Sequence, residues 1–214
     1  MKATVKTIST EGDNTSSGWR AGRTPTPGMP NSAERAMPSN SESDGLANEE
    51  TSHYVHSTLR ERIVEHVFVG DALRRLWQRR VTEVEVLRSE FDAGGYDLVM
   101  SYRKIVRHIQ FKSSITGGKA AGITASLKLM DKPSGCIIWI LVTKELKLDS
   151  YLWLGGSPGQ PLPEDIRELK VAKHTKGNAE GIKTEKPQHR IVPRGRFERL
   201  GSLDEVLERL FGPL

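Results

Sequence analysis

The chain has one cysteine, Cys136, in 214 residues. A lone cysteine excludes an intrachain disulfide and every zinc site built on paired cysteines. Cys136 lies inside the apolar run CIIWILV and reads as a buried filler. No continuous apolar stretch of about 18 residues is present to span a bilayer. The start, MKATVKTISTEGDNTSSGW, has no apolar segment behind its basic residue, so a secretory signal is not expected. Together these absences predict a cytoplasmic protein with no membrane association. His174 and His189 lack metal-ligand spacing, and neither a Gly-rich phosphate loop nor a Ser/His/Asp arrangement stands out. No repeat recurs at a period of about 20–50 residues, which argues against a solenoid or propeller.

What is present divides in two. Residues 1–52 are rich in Ser, Thr, Gly, Pro, Asn and Glu and nearly devoid of bulky apolar side chains. Such a segment cannot bury enough surface to offset its ordering entropy, so a disordered N-terminal tail is expected. Residues 53–214 have the size of a single domain. The whole chain carries a net charge of +5, and the tail holds five Lys or Arg against seven Asp or Glu, which leaves the domain at about +7. That excess modestly favours phosphate polyanions as partners.

From Ser57 to Arg80, apolar residues recur at helical spacing, with Leu59, Ile63, Val67, Leu73 and Trp77 on one stripe. A second stripe runs through Glu65, Phe68, Val69, Ala72 and Leu76, so a long helix covered on more than one side is expected, with Glu65 among apolar neighbours. VTEVEVLRS, YDLVMSY and IVRHIQFKSS then read as three strands joined by the turns EFDAGG and Arg103-Lys104, an antiparallel meander packed on the helix. Between Ser114 and Gly135 the glycines favour a loop, and SLKLMDK reads as a short helix ended by Pro133. CIIWILV has the length of a central strand, and SYLWLGG reads as a further strand or an edge, giving an α/β fold with a mixed sheet of about five strands. The basic stretch Lys170–Arg199 reads either as a groove that tracks a nucleic-acid backbone or, slightly ahead, as a solvated loop. SLDEVLERLF closes the chain as a helix, with Ser202 and Glu205 in a capping-box pattern.

Alternation along IVRHIQFKSS places His108, Gln110 and Lys112 on one face, opposite Ile105, Arg107, Ile109 and Phe111. The meander brings Asp97 beside Gln110 and Lys112, so a carboxylate, an amide oxygen and an ammonium meet. Taken singly, Asp97 reads as a turn-capping carboxylate and Lys112 as a strand-end lysine. Taken together, they suit phosphodiester hydrolysis with Mg²⁺ or Mn²⁺. Asp97, Gln110 Oε1 and the Phe111 carbonyl would supply oxygen ligands, and Lys112 would orient the attacking water and offset developing charge. His108 reads as a hydrogen-bonding histidine ahead of a phosphate contact. Glu90 and Asp92 read as solvated turn acids. Ser113 and Ser114 read equally as phosphate contacts or as a polar strand exit.

The run GGYDLVM followed by IQFKSS, behind an opening helix, resembles the PD-(D/E)XK nuclease superfamily, which has a restriction endonuclease-like fold. That superfamily places an Asp on the second strand and an acid-x-Lys on the third. Gln-x-Lys in place of the acid is similar to the variant found in families like the Mrr-type restriction endonucleases. Here Gly95-Tyr96 stands where the superfamily's name has Pro. The resemblance spans roughly Leu59 to Val142 and implies a metal-dependent nuclease acting on DNA, in defence or repair. The alternative is a catalytically weak module of the same fold that binds nucleic acid or a protein without cleavage. The superfamily often adds a Glu from the opening helix. Glu65 is the candidate because an unpaired carboxylate in an apolar stripe would be costly, with Glu61 one turn earlier behind it. The expected partner is thus nucleic acid, DNA first, and a homodimer is left open.

Overall fold

A computed structural model describes residues 56–91, 94–174 and 181–214. The expected tail, residues 1–52, and the turn acid Asp92 lie outside them. The fold is α/β, in three layers. Helix α1 (Ser57–Gln78) leads into β1 (Val84–Arg88), β2 (Leu98–Tyr102) and β3 (Ile105–Ile115). Next come β4 (Gly122–Ser126), a 3-10 turn at Leu127–Leu129, β5 (Gly135–Val142) and β6 (Leu148–Gly155). A 3-10 turn at Glu164–Glu168, β7 (Val171–Lys173), β8 (Glu185–Pro193), β9 (Glu198–Leu200) and helix α2 (Leu203–Phe211) complete it.

The main sheet is mixed and has six strands, in the order β1-β2-β3-β5-β6-β9. This exceeds the expected count of about five. β1, β2 and β3 form the antiparallel meander. β5 then runs parallel to β3, and β6 and β9 follow antiparallel. A parallel neighbour needs a crossover connection. In place of a loop and a short helix, that crossover carries strand β4 and the 3-10 turn, because Pro133 and Gly135 leave too few residues for an α-helix between Ser126 and β5. β4 joins β8 and β7 in a second, antiparallel sheet of three strands.

Every residue of β5 is buried. Its alternation explains the three layers. Cys136, Ile138, Ile140 and Val142 enter a core shared with α1 and α2, whereas Ile137, Trp139 and Leu141 enter one shared with the small sheet. Each fully buried aliphatic side chain contributes about 1.5–3 kcal/mol. Burial pushes the Cys136 thiol up to about 12, as befits an inert filler. Trp139 and Trp153 are core residues. SYLWLGG is an interior strand, paired on both sides.

Helix α1 turns its second stripe inward: Val64, Glu65, Phe68, Ala72 and Leu76 are buried. Phe68 packs edge-on against Phe111 and Tyr151, with ring centroids 5.1 and 6.0 Å apart. The first stripe is not covered as expected. Leu59, Ile63, Val67 and Leu73 are exposed, and Trp77 is 70% exposed. Periodicity marks both faces as apolar but does not rank them, and the small Ala72 is what suits the inner one to close approach. The helix stops in a Schellman motif. Arg80 takes a left-handed φ of 63°, its N–H donates to Trp77 O, and the Val81 N–H reaches Leu76 O at 2.9 Å.

At the other end of the chain, Ser202 Oγ accepts from the Glu205 N–H, so the N-cap of α2 forms as the sequence indicates. Val206, Leu207, Leu210 and Phe211 form its buried face. The buried Arg107 side chain of β3 donates to the carbonyls of Leu210, Arg209, Gly156 and Gln160, tying the last turn of α2 to the sheet.

Candidate functional site

The site grows out of a short ladder. β2 begins at Leu98, opposite Ile109, and the Asp97 N–H still donates to Ile109 O at 2.8 Å. One step on, Asp97 stands opposite Gln110, and from there β3 continues with β5 on one side and no β2 on the other. The Phe111 N–H is therefore without a strand partner. Asp97 turns its carboxylate to it, and Oδ2 accepts at 2.6 Å, a charge-assisted bond. The chain can make this approach because Gly95 has φ 71° and lies so near Ser126 that a Cβ there would meet Ser126 Oγ at 2.8 Å.

Two clefts open on either side of Lys112. The first, of about 260 Å³, is lined by Asp97, Phe111, Lys112 and Ser113 from the sheet and by Glu61, Arg62 and Glu65 from α1, among others. The second, of about 330 Å³, is lined by Gly95, Gln110 and Lys112 together with Thr124, Ser126, Lys128, Lys186, Gln188 and His189 of the small-sheet layer. Asp97, Phe111, Lys112 and Glu65 are thus brought to one cleft, and Gln110 to its neighbour.

Glu65 is buried, 5% exposed, but it is not unpaired. Arg62 Nη1 bonds its Oε2 at 3.0 Å and Arg88 holds its Oε1. The expected cost of an isolated buried carboxylate is met by two guanidinium groups. Glu61 is exposed on the same cleft wall and engages in no ion pair among the described residues.

Gln110 Nε2 donates to Gly95 O at 2.9 Å, whereas its Oε1 is buried with no hydrogen-bond partner. Ser113 Oγ is orphaned in the same way. An acceptor left bare in this manner costs about 1–3 kcal/mol unless a donor or a cation reaches it. Ser114 is occupied, accepting from Trp139 Nε1–H at 2.9 Å. His108 contacts Ser134 Oγ through Nδ1 at 3.4 Å and packs on Tyr96. Burial, with Lys132 adding to it, lowers its pKa, so it is neutral at pH 7.

Among the described residues no three His, Cys, Asp or Glu side chains gather as metal ligands. A cation here would rely on mixed oxygen donors: the Asp97 carboxylate, the orphaned Gln110 Oε1 and the Phe111 carbonyl. In kind they fit a hard divalent ion that keeps several waters, and the bare Gln110 oxygen is the observation that favours the fit.

The basic stretch read as a solvated loop supplies β7, β8 and β9, with residues 175–180, including Lys176, outside the described part. Its strands were hidden by Pro187, which sits where the β7 register jumps from Arg190 to Lys186. Lys128 gave no signal in sequence, because only the β4–β8 pairing brings its neighbour Ser126 opposite His189. No family model, curated protein or solved structure matches the chain.

Proposed function

We propose that the chain is a metal-dependent nuclease-like protein of the PD-(D/E)XK type, hydrolysing phosphodiester bonds of DNA in defence or repair. The observation that carries this reading is the opening of Asp97 and Lys112 onto one cleft that α1 also lines with Glu61, Arg62 and Glu65. Helix α1, the antiparallel meander and an Asp at the start of β2 facing Gln-x-Lys on β3 agree with the plan implied by the resemblance.

Asp97, Gln110 Oε1 and the Phe111 carbonyl would hold Mg²⁺ or Mn²⁺, which would supply Lewis-acid stabilisation of phosphate charge and a more acidic water. Lys112 would orient the attacking water and offset charge developing on the phosphate. Glu61 stands within the same cleft as a proton acceptor. The Gln110 amide is uncharged, so the site binds metal less tightly than a glutamate version would.

A second reading is favoured by the double arginine grip on Glu65. It is a module of this fold that binds nucleic acid or a protein partner without cleavage. Plasmid nicking with Mg²⁺ or Mn²⁺, and titration calorimetry with Mn²⁺, separate the two. The nuclease reading predicts metal-dependent nicking that is lost in Asp97→Ala and in Lys112→Ala, and nicking unchanged in either variant refutes the site. Absence of Mn²⁺ binding at millimolar concentration, with DNA still bound in a salt-dependent manner, selects the binding module.

A further inference from the structure

The second cleft has a composition that the first does not. Its lining contains Lys112, Lys128 and Lys186 and no carboxylate. No ion pair engages any of these lysines among the described residues, while arginines 62, 74, 75, 79, 88, 167, 196 and 209 all have acidic partners. Unpaired ammonium groups that line one cleft repel one another, and an anion seated among them would be stabilised. Thr124, Gln188 and His189 add polar groups to the same walls. The floor is neutral: Gln110 lines it, with its Nε2 already donating to Gly95 O.

We propose that this cleft, between β3 and the β4–β8 pair, is the seat of a single nucleic-acid strand, with its phosphates on Lys128 and Lys186. A volume of about 330 Å³ holds a nucleotide unit and not a duplex. Lys112 lines both clefts, so a strand seated on the lysine side continues over Lys112 into the first cleft, beside Asp97. The strand's path into a reaction centre rests on the nuclease reading; the binding site itself does not.

The test is fluorescence anisotropy of the full chain with a labelled single-stranded DNA oligonucleotide, in chelator, across a salt series. Lys128→Gln/Lys186→Gln is compared with Lys104→Gln/Lys147→Gln, which removes the same charge from turns at the β2–β3 and β5–β6 connections. The cleft variant is expected to bind about tenfold more weakly than the control, with the slope of log K against log salt smaller by about 1.4, the value for two lost phosphate contacts on a single strand. Equal thermal unfolding of the two variants shows that the fold is intact. Affinity and slope matching the control overturn the proposal, and so does equal competition by duplex DNA of the same length. Because cleavage is blocked by the chelator, a chain that proves unable to nick DNA leaves this result standing. Conversely, a nicking enzyme whose binding ignores Lys128 and Lys186 removes the strand seat alone.

Discussion

Arg107 offers a sharp test of how the layers are held together, because a cation is buried at 0% exposure without an acidic partner among its hydrogen bonds. Burial lowers its pKa from the usual arginine value, yet a guanidinium stays charged in proteins. Its compensation is four carbonyl acceptors and the Trp153 ring, 5.5 Å from the guanidinium carbon. Two of the carbonyls, Arg209 and Leu210, belong to the last turn of α2, where the helix presents its negative end. In Arg107→Met the Leu210 oxygen is left buried and bare, at about 1–3 kcal/mol, while the partly buried others recover water at about 0.5–1 kcal/mol each. Relief of the guanidinium's own desolvation offsets part of this. The net expectation is a loss of about 3 kcal/mol, or a Tm lower by about 6–12 °C for a domain of this size. Urea unfolding followed by tryptophan fluorescence reads it directly. Arg107→Lys, with three donors for four carbonyls, should fall between the two. A loss below about 1 kcal/mol in Arg107→Met would show that desolvation cancels the four bonds and would refute the reasoning.

Two further predictions follow from ion pairs. Asp204, at the start of α2, is held below the usual aspartate range chiefly by the Arg75 hydrogen bond, with Arg79 adding to it. Its folded pKa is depressed, so its stabilisation is present above the unfolded value of about 3.9 and is lost as pH falls through the lower folded value. Asp204→Asn should flatten that acid limb in pH-dependent unfolding, and an unchanged limb would remove the pair from the account. Glu65→Gln should cost about 1–2 kcal/mol, less than the usual loss on breaking a buried pair, because Arg62 and Arg88 are 62% and 35% exposed and turn to water. Mn²⁺ affinity should be unaffected, and a weaker affinity in calorimetry would add Glu65 to the metal ligands.

The legible part of the fold was the part with strong local period. Alternation located β1, β2 and β3, the apolar run located β5, and Ser202 with Glu205 located the start of α2. The second sheet was not legible. β4 is only five residues with a glycine at its start, and β8 contains Pro187 and is stabilised by partners 60 or more positions away in β4. Their pairing is a tertiary effect that no window of sequence contains. Helix α1 was legible as a helix, but the choice between its two apolar stripes depends on the sheet it meets, which lies beyond the helix's own residues.

The site shows the same division. That Gln110 and Lys112 share a face follows from β3 alone, whereas the bond from the Phe111 N–H to Asp97 exists only because the β2 ladder ends one residue early. Asp97 therefore carries two loads, a strand-closing acceptor and the proposed anionic ligand, and Asp97→Ala removes both at once. Asp97→Asn separates them. Its amide oxygen still accepts from the Phe111 N–H, now as a neutral bond worth about 1 kcal/mol less than the charge-assisted one. The negative charge is gone. The variant should unfold close to wild type in urea yet lose Mn²⁺ binding and metal-dependent nicking. Nicking that survives Asp97→Asn while Asp97→Ala is inactive would mean that the carboxylate serves the strand and not the metal, and the proposed centre would have to be rebuilt around Glu61 and Lys112.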